Sequence, residues 1–193
     1  MSNNRSVTVT GLDETIKMLD DLGKKGDQIA RNASSRAATL MRQGYLVQAM
    51  TSATGLSRRT IMRYSYVKRA TPKYESARIN FSGSGIPATE YKYSLKRTSV
   101  ATRAQVLVEW LGGQKLAAGF INPLGKAKHP LMTRSQKTTR NGKSYTYRKP
   151  LQTALAPSLA TLYLSLPEGE VDNEASEILS RELVTLLDEL LDE

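Results

Sequence analysis

The sequence predicts an α+β protein. A long N-terminal helix packs on a mostly antiparallel β-sheet, a basic β-hairpin projects, and an amphipathic acidic helix ends the chain. Three observations lead there. Apolar residues recur at helical spacing through the first third, the period falls to two from Tyr66, and helical spacing returns from Leu151. No internal repeat or low-complexity linker interrupts this order. The expected organisation is one domain over 1–167, with the hairpin at about 133–149 and residues 168–193 as a helical appendage.

Each element has a local reason. Val7 and Val9 alternate with Thr8 and Thr10, which predicts a short strand closed by Gly11. Leu12, Ile16, Leu19 and Leu22 have helical spacing, Gly23 stops that helix, and Lys24-Lys25-Gly26 reads as a hinge. A long helix is expected from about Asp27 to Thr51. Its inner face would be Ile29, Ala33, Ala37, Leu40, Gly44 and Val47, with Arg31, Arg36 and Arg42 off that face. Thr54-Gly55 breaks it. Ser57 can cap a short helix reaching Tyr64, with Leu56 and Ile61 at the spacing of a hydrophobic staple.

Strands follow. Ala77–Phe81 is one, Gly83-Ser84-Gly85 is a turn or bulge, and Pro87 limits its segment to an edge or loop. Tyr91, Tyr93 and Leu95 alternate with Lys92, Ser94 and Lys96, and Val106 and Val108 alternate with Leu107 and Glu109. Gly112-Gly113 turns the chain into a strand over Leu116–Ile121. Asn141-Gly142 predicts a tight hairpin turn with Lys137, Arg140 and Lys143 near its tip. Leu155, Leu159 and Leu162 have helical spacing, with Pro157 in the first turn. In the last helix, about Asp172–Leu191, Leu179, Leu183, Leu186, Leu187, Leu190 and Leu191 form one stripe and the acids the rest. That stripe reads as a candidate oligomer interface.

Composition limits the chemistry. The chain has 193 residues, no Cys and one His, so disulfides, thiolate chemistry and histidine-clustered zinc are excluded. No apolar run is long enough to span a bilayer and the N-terminus shows no apolar h-region, which, with the lack of Cys, predicts no membrane partner, a reducing compartment and no export by a visible signal. The net charge of +10 is uneven. Residues 28–167 hold 23 bases and three acids, whereas residues 168–193 hold ten acids and one base. Such a split points to a polyanionic partner or a charged assembly interface.

Catalytic motifs find no support. His129 sits in a basic loop, Asp13/Glu14 and Asp20/Asp21 read as solvated, and Gly83-x-Gly85 lacks the rest of a nucleotide fingerprint. The expectation is a protein that is not an enzyme and uses no cofactor. Tyr64, Tyr66, Tyr74, Tyr91, Tyr93, Tyr145 and Tyr147 lie among bases, which suits base stacking, protein interfaces or ordinary half-buried strands. Residues 54–64 also look like the turn and second helix of a helix-turn-helix, with Arg58, Arg59 and Arg63 towards DNA. A nucleic-acid-binding protein is therefore the alternative reading.

An ordered set of short segments carries a family resemblance. It comprises Arg31-Asn32-Ala33-Ser34-Ser35, Val67-Lys68-Arg69-Ala70-Thr71, Ala77-Arg78-Ile79 and Gly85-Ile86-Pro87. It continues with Ala118-Gly119-Phe120-Ile121, His129–Arg134, the basic hairpin and Ala156-Pro157-Ser158-Leu159. Over about residues 29–160 the chain resembles the minor tail protein Z family of long-tailed bacteriophages, also called tail completion or neck proteins. No single segment is specific; order, spacing and chain length carry the likeness.

The resemblance implies a non-catalytic structural virion protein at the head-proximal end of the tail, made in the host cytoplasm. It implies a homo-oligomeric, six-fold ring that supports head–tail joining and DNA passage. The implied neighbours are the tail terminator, the tail tube, the head–tail connector and, non-specifically, the DNA in the channel. Arg58, Arg59, Arg63, Lys137, Arg140 and Lys143 are the candidate contacts. The acidic terminal helix lies outside the resemblance.

Overall fold

The computed structural model describes residues 17, 19, 22–99, 101, 103–124, 129–132 and 152–191. The expected strand at Val7–Thr10, most of the first helix and the hairpin at 133–149 lie outside the described residues. The chain is α+β and divides into two compact units. The first unit takes residues 1–50, 58–83 and 159–193, and the second takes 51–57 and 84–158. The boundary expected at residue 167 is therefore corrected: the acidic helix is part of the first unit's core. Among the described residues no helix is long and apolar enough to cross a membrane.

The first unit is built on α1 (Lys24–Met41), which continues through a π-turn (Arg42–Leu46) into α2 (Val47–Thr54). The buried positions are Ile29, Ala33, Ala37 and Met41, then Leu46 and Met50. Their spacing is four along the α-helix and five across the π-turn. The expected inner positions Leu40 and Gly44 instead face outward, Leu40 being 40% exposed. Leu40 precedes the π-turn and falls off the stripe because the buried positions step by four, from Ala37 to Met41; the wide turn then carries the stripe past Gly44 to Leu46 and to Val47, which is buried as expected. Gly55, at φ 69, follows the last residue of α2, as its place after Thr54 predicts.

Next come α3 (Arg58–Arg63) and a two-stranded antiparallel ribbon, β1 (Ser65–Lys68) with β2 (Arg78–Phe81). The unit closes with α4 (Leu159–Leu164) and α5 (Glu168–Leu191). Phe81 of β2 stacks on Tyr163 of α4 with centroids 4.6 Å apart. The chief partner of α1 is α5, with the ribbon beside it. Ile29 and Ala33 form one buried cluster with Leu183, Leu186 and Leu187, flanked by Leu19, Leu179 and Leu190. The two helices run antiparallel: Arg36 meets Glu189 at 3.5 Å, and Tyr45, further along the first helix, meets Glu170 near the start of α5 at 3.4 Å.

The second unit is a seven-stranded sheet of β3 (Gly85–Pro87), β4 (Tyr93–Arg97), β5 (Ala104–Trp110), β6 (Gly113–Ile121), β7 (Leu131–Met132), β8 (Gln152–Thr153) and β9 (Leu155–Ser158). Its main path is β3-β9-β6-β5-β4, and β7 pairs β6 and β8. All pairings are antiparallel. Ala104, Val106 and Val108 are buried on one face while Gln105 is exposed on the other. The β5–β6 turn is Leu111-Gly112, with φ 50 and 76, one residue earlier than Gly112-Gly113 suggests.

The helix expected through Leu155 and Pro157 is also corrected: α4 starts only at Leu159, and residues 155–158 form β9 between β3 and β6. Apolar spacing alone cannot separate a short buried strand from a helix start. Pro157 is tolerated because it sits at the register shift of the β3–β9 pairing, where a missing N–H costs no ladder bond. Pro87 lies on the edge strand β3, as its chemistry requires.

Candidate functional site

The cationic surface of the first unit starts at α3. Its six residues turn Thr60 and Ile61 inward, so Arg58, Arg59 and Arg63 stand exposed. The step from α3 into β1 is held by Arg42. Its Nε donates to Ser65 Oγ at 2.9 Å, and its Nη2 donates to the carbonyls of Met62 (2.8 Å) and Ser65 (2.7 Å). Ser65 is 4% exposed and its hydroxyl donates to Ile61 O at 2.8 Å. One planar fork thus fixes the angle between helix and ribbon. Arg58 is tied as well, since its Nη1 donates to Gln43 O in the π-turn at 3.0 Å.

The register of the ribbon decides which side chains face out. Val67 opposes Ile79 and Ser65 opposes Phe81 on the inner side. Tyr66 opposes Asn80 and Lys68 opposes Arg78 on the outer side. Tyr66 is 62% exposed. The connection between the strands turns at Thr71–Tyr74, whose backbones exchange hydrogen bonds of 2.8 and 2.9 Å. Lys68 Nζ lies 4.5 Å from the Tyr74 ring centroid and Lys73 Nζ lies 5.7 Å from it. Two helix serines pin this connection: Ser35 Oγ accepts from Ala70 N at 3.1 Å and Ser34 Oγ from Ala77 N at 2.9 Å.

Residues 58–83 therefore present seven bases against one acid, Glu75. Arg58, Arg59, Arg63, Lys68, Arg69, Lys73 and Arg78 are all exposed. Beside this face an open groove of about 730 Å³ runs along α1, with Arg36, Arg69 and Glu182 of α5 among its lining residues. The surface suits a large anionic partner, because charge is spread along it rather than focused on one atom. Among the described residues, no group of three or more His, Asp or Glu side chains is placed to hold a metal ion.

The candidates from the sequence divide. Arg58, Arg59 and Arg63 share the exposed face. Lys137, Arg140 and Lys143 lie outside the described residues, as do Tyr145 and Tyr147. Leu179, Leu183, Leu187 and Leu190 are corrected: they do not form a free stripe but pack against α1, with Leu183 and Leu187 only 5% and 6% exposed. The stripe found its apolar partner inside the chain. The helix-turn-helix reading loses its second helix, since α3 is six residues and about 9 Å long and leads into β1 two residues later.

The tyrosines also separate. Tyr66 and Tyr74 are exposed on the ribbon side, and Tyr93 is exposed on β4. Tyr91 is 3% exposed and donates its hydroxyl to Pro157 O at 2.7 Å, with burial pushing its phenol pKa far above the usual range. His129 is exposed. Sequence reasoning missed Arg42, Ser34 and Ser35 as organisers of the face. A pair of serines inside a helix was the available signal, because serine in a helix interior favours side-chain bonds to backbone.

Comparison with family models, with curated proteins and with solved structures finds no match for this chain.

Proposed function

We propose that this protein is a structural subunit of a phage tail, completing it at the head–tail junction as a homo-oligomeric ring. The observation that carries the reading is the ordered set of segments that resembles tail completion proteins over about residues 29–160. Among the described residues, segments within each unit lean on one another. Ser34 and Ser35 accept the N–H groups of Ala77 and Ala70, so the first three segments meet. In the other unit Gly85–Pro87 pairs with Leu155–Ser158, Phe120 pairs with Leu131, and Ala118 pairs with Leu155. Segments that are spread along a chain yet join in the fold are what a common framework requires.

The charge distribution supports the same reading. An exposed cationic face and an acid-rich helix on one subunit suit assembly among charged neighbours. The neighbours would be tail terminator, tail tube and connector proteins, with channel DNA as a non-specific polyanion. The test is to assemble particles without the protein and image them. Tails that fail to join filled heads, with loss of infectivity, are expected; normal infectious joints would overturn the proposal.

A second reading is a nucleic-acid-binding protein. It is favoured by Tyr66 exposed among cations on the ribbon, not by α3. It predicts tight duplex or single-strand binding with a steep salt dependence. The assembly reading predicts that such binding is weak at ~150 mM salt.

A further inference from the structure

The Leu stripe of α5 is consumed inside the first unit, so the surface this helix offers to others is its outward side. Asn173, Glu177, Arg181, Val184 and Asp188 are all exposed along it. They recur every three or four residues, which places them in one line along a helix about 36 Å long. The exposed charges of α5 as a whole are mostly acidic, Glu168, Glu170, Glu177, Asp188 and Glu189 against Arg181, and Val184 on the line is 53% exposed. The opposite character occurs on α3 and the ribbon of the same unit. The same stretch carries seven exposed bases together with Tyr66 and Tyr74, which are 62% and 44% exposed, and Lys68 and Lys73 lie over the Tyr74 ring. Each surface thus has apolar atoms set among charges, net negative on α5 despite Arg181 and net positive on α3 and the ribbon despite Glu75. Aromatic anchors among charges that set the register are how a specific protein contact is built.

We infer that these two surfaces recognise each other between copies: the cationic face of α3 and β1–β2 on one molecule takes the outward face of α5 on the next. This rests on the assembly-subunit reading and names the contact it needs. The two surfaces are different patches on one unit, so the contact is heterologous, not a two-fold self-pairing. Contacts of that kind propagate and close into a ring when the rotation between copies allows it. The occupant is a second copy because the chain itself carries the complementary charge. A contact so dominated by exposed charge weakens with salt.

The test is sedimentation velocity of the full-length protein. At ~50 mM salt the wild type should sediment as species heavier than the 21.3 kDa monomer, and ~500 mM salt should dissociate them. Arg59→Glu with Arg78→Glu should weaken self-association at least about tenfold, and so should Glu177→Lys with Asp188→Lys. Circular dichroism should be unchanged in both, because all four side chains are exposed. Mixing the two variants, or combining all four changes in one chain, should restore assembly.

A wild type that stays monomeric at low salt overturns the inference. So does association that survives either pair of reversals, or no recovery in the mixture. If the basic-face variant loses only the binding of a DNA oligonucleotide while assembly persists, the face belongs to nucleic acid and the inference falls. The particle experiment is separate: head–tail joining can require the protein even if these two surfaces do not meet.

Discussion

At the residue scale, a few polar contacts that sequence patterns do not reveal fix the local geometry. Arg42 satisfies two carbonyls and a hydroxyl with one guanidinium. Arg42→Ala should lower the free energy of unfolding by about 2–3 kcal/mol, read from the urea midpoint. Arg42→Lys should recover little, because an ammonium lacks the planar fork. Tyr91 makes a pH prediction. Its phenol stays protonated in the fold at pH values where it would ionise in the unfolded chain, so its folded pKa is raised. Stability should be intact below about pH 10 and fall as the pH rises beyond it. Tyr91→Phe should flatten that alkaline decline, at a cost of about 1–2 kcal/mol at neutral pH from the unpaired Pro157 carbonyl. Gly119, at φ 147, is a place where only glycine fits. A Cβ there would overlap the Ala154 Cβ and sit 2.7 Å from Leu131 O. Gly119→Ala should therefore distort the contact of β6 with β7 and β9 and lower the melting temperature sharply.

At the element scale, the π-turn sets which residues of the long helix reach the core. The sequence made Ile29, Ala33 and Ala37 legible as an inner face, and they are buried. Leu40 failed because the stripe steps by four to Met41, and Gly44 failed because periodicity assumes an uninterrupted helix, whereas the extra residue at Arg42–Leu46 is a tertiary choice. Deleting Gly44, which is exposed, should turn everything beyond it by about 100°. Leu46 and Met50 would leave the core, and the variant should unfold at lower urea despite its more regular helix. The C-terminal helix shows the same limit. Its leucine stripe was legible, but its partner was not, since an apolar stripe fits α1 of the same chain as well as a neighbour's helix. Leu183→Ala should cost about 2–4 kcal/mol of folding stability, measured by denaturation of the dilute protein.

At the scale of the whole molecule, the acidic tail is a structural member. Truncation after Pro167 would uncover Ile29 and Ala33, so the shortened chain should aggregate or show a molten spectrum instead of remaining a folded monomer. Light scattering and near-ultraviolet circular dichroism would read this directly. The sequence by itself determined the α+β class, most strand positions, the edge placement of Pro87 and the opposed charges of body and tail. These follow from local periodicity, from proline's missing N–H and from counting charges, none of which needs a partner to be known. Only the tertiary structure decided that the Leu stripe is internal, that residues 155–158 are a strand, and that Arg42, Ser34 and Ser35 organise the cationic face. Those outcomes depend on which of several compatible surfaces lies alongside, and burial energy acts between residues far apart in sequence.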